Sequence, residues 1–82
     1  MYKWTIYKHP DKYLLGYDRE ADTRISARMR AECLAVELLR HEKVEAQQID
    51  GLQWVNDGGL DQRLEHPVTG ETLAKVCLSN ES

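Results

Sequence analysis

The sequence predicts an α+β domain: a mostly antiparallel sheet, in the order β-β-α-β-β-β, with one long helix packed on a face. Three observations carry this expectation. Tyr2 to Lys8 alternates, with Tyr2, Trp4 and Ile6 on one side and Lys3, Thr5 and Tyr7 on the other, the period of two of a half-buried strand. Arg24 to about Glu42 holds no Gly or Pro and is dominated by strong helix formers. After it come short apolar segments separated by turn residues. At 82 residues the chain is expected to form one domain, spanning 1–82.

Taken in order, the first strand runs into His9-Pro10-Asp11-Lys12, where Pro fixes φ and cannot donate to a ladder. Tyr13 to Tyr17 then reads as the second strand of a hairpin. Asp18 to Asp22 is polar, and Asp22 or Thr23 is placed to N-cap the helix. His41 and Lys43 lie at its C-terminal end, where positive charge suits the helix dipole. Val44 to Ile49 and Leu52 to Asn56 flank Asp50-Gly51, a dipeptide suited to a type I′ turn, so a second hairpin is expected there. Asp57-Gly58-Gly59 ends that segment. Leu60 to Glu65 fits a helical turn or a short strand almost equally, and residues 67–70 read as a turn. Leu73 to Leu78 closes the sheet.

At about 100° per residue, the helix shows two apolar stripes. Ile25, Met29, Cys33, Val36 and Leu39 form one, and Ala27, Ala31, Leu34, Ala35 and Leu38 form the other. A helix packed on a single side needs one such stripe. Two stripes predict cover on two sides, and the alanine face, which permits close approach, is expected to be the partner contact, most simply in a homodimer.

The net charge of −3 conceals an asymmetry. Met1 to Arg30 carries seven basic and four acidic residues, and the remainder four basic and ten acidic. Five of the six aromatics, Tyr2, Trp4, Tyr7, Tyr13 and Tyr17, fall before residue 18, leaving only Trp54 beyond. Met1 to Lys8 has no apolar h-region of a signal peptide and no apolar run is long enough to span a bilayer, so a cytoplasmic location without membrane association is expected. In such a reducing compartment Cys33 and Cys77 are expected to be reduced and largely buried.

No catalytic constellation is legible. Cys33 and His41 are separated by two helical turns, and His9 and His66 each precede a proline, so no zinc-like spacing arises. No Ser, Cys or Thr sits in a nucleophile elbow, and Gly58-Gly59 lacks the Lys-Ser/Thr of a phosphate loop. The expectation is a non-enzymatic protein without metal or cofactor.

Two binding surfaces are expected candidates. Glu37, Glu42, Glu45, Asp50, Asp57, Asp61, Glu65 and Glu71 could form an acidic surface complementary to a basic groove on a larger complex. Lys3, Tyr7, Lys8, Lys12, Tyr13 and Tyr17, extended by Arg24, Arg28 and Arg30, could instead grip single-stranded nucleic acid by stacking and phosphate contacts. In size, acidity and lack of catalytic residues the chain resembles the small inhibitor proteins of phages and other mobile elements, anti-CRISPR proteins among them, a likeness of gross properties and not of any motif. That resemblance implies a non-catalytic protein-binding module, an inhibitor or adaptor docking on a larger complex. Single-stranded nucleic-acid binding is the alternative.

Overall fold

The computed structural model describes residues 1–10, 18–56, 58–59 and 61–78. They form β1 (Tyr2–Ile6), β2 (Asp18–Ala21), α1 (Arg24–His41), α2 (Ala46–Asp50), β3 (Trp54–Asn56), β4 (Gln62–Glu65) and β5 (Thr72–Leu78). All five strands join one antiparallel sheet in the order β2-β1-β5-β4-β3. The α+β class holds, with a single long helix laid on one face.

The alternation in β1 decides that face. Trp4 and Ile6 are buried and stand opposite Val76 and Ala74 of β5, both fully buried. Leu64 of β4 continues the same row beyond Ala74. Onto this surface α1 sets Ala27, Ala31, Ala35, Leu38 and Leu39, all buried, with Leu34 partly buried against the cluster. Bulk on the sheet and methyl groups on the helix let the two layers approach closely, which keeps a thin core dense.

The ladder has one irregularity. Leu64 pairs with Ala74 but Glu65 pairs with Thr72, so Leu73 has no opposite residue on β4. Such a bulge lets two successive side chains project from one strand toward the same side. Leu73 and Ala74 are both fully buried, so β5 places an additional leucine in the core.

Thr23 caps α1, its hydroxyl accepting the N–H of Ser26 at 3.0 Å. The other end closes with a reversed, left-handed residue: Lys43 has φ of 60° and donates to Arg40 O, while Val44 N–H donates to Leu39 O at 2.9 Å. This six-to-one plus five-to-two bonding turns the chain sharply and packs Val44 against the core beside Leu39.

That sharp turn sets the path of the next segment and corrects one expectation. Val44 to Ile49 is not a strand, and Asp50-Gly51 is not a hairpin turn. Ala46–Asp50 is a short helix, and Gly51 has φ of −86° where a type I′ turn needs a positive value. Extended, this segment would place Val44 and Ile49 on opposite faces. One helical turn instead brings Ile49 and Leu52 onto the core together with Val44. The hairpin turn lies later, between β3 and β4, where Gly58 and Gly59 have φ of 100° and 55°. Residues 62–65, ambiguous in sequence, form a strand. The expected strand Tyr13 to Tyr17 lies outside the described residues, and the partner of β1 begins at Asp18.

The alanine face is therefore intramolecular: Ala27, Ala31, Ala35 and Leu38 are buried in the chain's own core and closed to a partner, and Leu34 packs partly against that core. Ala31→Arg should accordingly unfold the domain instead of releasing a folded monomer, since an unpaired buried charge costs ~3 kcal/mol or more. Thermal melts followed by circular dichroism decide it. Conversely, Lys43→Gly should stabilise by about 1 kcal/mol, because glycine adopts the left-handed conformation without the Cβ penalty. Chemical denaturation of both proteins measures the difference.

Candidate functional site

Three polar or apolar groupings stand out on the folded chain. The first joins the C-terminal end of α1 to the β4–β5 turn. His66 is buried, and its Nε2 lies 3.0 Å from Glu42 Oε1. Its Nδ1 accepts the backbone N–H of Val68 at 3.1 Å and of Thr69 at 3.3 Å. Two donors on Nδ1 leave the ring proton on Nε2, directed at the Glu42 carboxylate. Lys8 Nζ completes the group, 3.4 Å from Glu42 and 3.7 Å from Glu71.

The hydrogen bond from His66, with Lys8 beside it, holds the Glu42 carboxyl below its usual range, partial desolvation working the other way. The hydrogen bond to Glu42, then the charges of Glu42 and Glu71, raise Lys8 above its usual value. Both nitrogens of His66 have partners within the chain. A groove of about 450 Å³ borders this turn, with Leu52, Val55, His66 and Val68 in its walls. The cluster is a clasp between helix and sheet.

The second grouping is the set of acids expected from sequence, several of which hold partners within the chain. Glu42 belongs to the clasp, Glu37 lies 3.9 Å from buried His9, and Glu45 accepts a bond from Gln47. Glu65 pairs with Arg63 at 2.9 Å, and Asp61 is exposed where β4 begins. Asp57 lies outside the described residues. The described members of the basic and aromatic set stand on β1, just after it, and on α1. Lys3, opposite Cys77, is on the sheet face away from α1, Lys8 is held by two carboxylates, and Arg24 and Arg28 are on the helix. Tyr7 is exposed, while Lys12, Tyr13 and Tyr17 lie outside the described residues.

The cysteines differ from expectation too. Cys33 is exposed and Cys77 is half-buried, and both are free thiols. Cys33 projects from the outward side of α1, and Cys77 alternates with inward Val76 and so points away from the helix.

The third grouping is that outward side. Ile25 and Met29 are 63% and 62% exposed, Cys33 follows, and Val36 is half-buried. Leu39, read in sequence as part of this stripe, turns inward to the core. Two shallow grooves flank Val36 and share Glu32, Val36 and Arg40 in their walls. One, of about 400 Å³, includes Cys33 and Glu37, and the other, of about 440 Å³, includes Ile49 and Leu52. Sequence reasoning found this stripe but assigned partner contact to the alanine one. The available signal was Arg40, four residues beyond Val36, which places a charge where a core-facing stripe would continue.

No protein-family model, no curated protein and no solved structure matches the chain. Among the described residues no helix is long and apolar enough to cross a membrane.

Two measurements check this geometry. Cys33 should react with a bulky thiol reagent under native conditions at a rate near that of a free thiol, with Cys77 markedly slower. Stability should fall as pH drops below about 4.5, because a carboxylate held low in the folded state contributes only while it stays ionised, and the contribution is lost through its folded-state titration. Lys8, held high, contributes below its ordinary value and loses that contribution only as pH rises through its folded-state titration, above 10.5. Glu42→Gln should flatten the acid limb of stability against pH, and an unchanged limb would mean that other carboxylates set it.

Proposed function

We propose that this chain is a non-catalytic protein-interaction module, a small acidic inhibitor or adaptor of a larger protein complex, and that the outer face of α1 is a protein-contact surface. The observation that supports the reading is the exposure of Ile25 and Met29, aligned with Cys33 and Val36 along one side of the longest element. Folded monomers keep large apolar residues scattered, and a continuous run of them marks a contact surface. The run stands on a helix anchored by the core on its opposite side, so little ordering entropy opposes binding. A cytoplasmic site of action suits the two free thiols. The alternative, binding of single-stranded nucleic acid, needs rings and cations on one surface.

Capture from a lysate of the source organism tests the proposal, using immobilised wild type and Met29→Arg. Met29 is exposed, so the variant should stay folded, with stability within about 0.5 kcal/mol of wild type. Captured partners should be lost by about ten-fold or more, the effect of a central contact residue. Identical capture by the two proteins would rule out this face. Salt-sensitive retention of wild type on single-stranded DNA or RNA would favour the alternative.

A further inference from the structure

Ile25, Met29, Cys33 and Val36 present an apolar group once per turn of α1, and the series reads almost the same from either end. Ile25 and Val36 are equidistant from a point midway between residues 30 and 31, and Met29 and Cys33 are equidistant from Ala31. On one flank of the stripe stand Arg28 and Glu32, both half-buried and centred on residue 30. At four residues apart they could pair along the helix, but with the base preceding the acid, the weaker order. Among the described residues neither takes part in an ion pair.

We infer that the outer face of α1 is covered by a second copy of this chain, the two helices lying antiparallel across a two-fold axis near residues 30 and 31. The inference rests on the reading of this face as a protein-contact surface, and it names the occupant. Ile25 of each copy then lies opposite Val36 of the other, and Met29 opposite Cys33. An antiparallel pair places like flanks together, so Arg28 faces Glu32 of the other copy, and the two-fold makes each contact twice. The grooves beside Val36 are depressions into which the Ile25 side chain can set. A partner fully complementary to this face brings an apolar stripe with one base and one acid at matching heights. A second copy brings both, because the charges that remain unpaired within one chain are complementary under the same symmetry as the apolar residues.

One helix against one helix is a small interface, of the transient class. Sedimentation equilibrium under reducing conditions, from about 10 μM to about 1 mM, should therefore show a reversible monomer–dimer equilibrium. Met29→Arg should remain monomeric throughout, with an unchanged far-ultraviolet spectrum. Arg28→Glu should weaken dimerisation by about ten-fold, because acids then face acids at two places. The double variant Arg28→Glu/Glu32→Arg should recover wild-type association to within about three-fold, since exchanging the charges preserves the complementarity of two copies. Wild type that stays monomeric, a dimer indifferent to Met29→Arg, or a double variant no better than the single one overturns the inference. A monomeric wild type whose captured partners are still lost in Met29→Arg would overturn the second copy alone and leave the docking face standing.

Discussion

The structure depends on one contact, the seating of the α1 alanines on the inner face of the sheet. Ala27, Ala31 and Ala35 are essentially without solvent exposure, and opposite them lie Trp4, Ile6, Leu64, Leu73 and Val76. A domain of this size has few residues with which to exclude water, so the distance between its layers matters more than in a larger protein. Methyl groups on the helix and bulk on the strands set that distance. The bulge at Leu73 serves the same end by adding a large side chain where the helix crosses the central strands.

Once the helix is seated, its direction must be held, and both ends are held by polar chemistry. Thr23 satisfies a backbone donor at the start, and the left-handed Lys43 turns the chain back at the finish. The clasp of Glu42 with His66 and Lys8 then ties the end of α1 to the β4–β5 turn and to the residue two beyond β1. It is assembled from three distant parts of the chain, and both ring nitrogens of His66 are bonded within it.

Much of this was legible in the residues. The alternation of Tyr2, Trp4 and Ile6, the Gly-free run from Arg24 and the apolar closing strand each carry local signals stronger than their competitors, while the helix cap was narrowed only to Asp22 or Thr23. The segment after α1 misled because Asp50-Gly51 is an apt turn in isolation, whereas the tertiary demand that Val44, Ile49 and Leu52 share one side selected a helical turn. The clasp was invisible, since His66 and Glu42 are 24 residues apart and no spacing rule connects them. For the candidate site, sequence supplied both stripes of α1 but not their assignment. Small residues suit a neighbouring helix and a neighbouring sheet equally, and only the chain's own sheet made the choice.

The position of β5 has a kinetic consequence. Tyr2 lies beside Leu78, so the centre of the sheet joins the first described strand to the last, across nearly the whole chain. During synthesis α1 is made before β5 exists, and until β5 emerges Trp4, Ile6 and the alanine stripe have no complete surface to cover them. Loop-closure entropy must be met before these distant strands gain anything from pairing, which places the domain among folds that form late and slowly for their size. The nascent chain thus passes through an interval in which its most adhesive residues are the ones later hidden, and it is in that interval that chaperones would meet it.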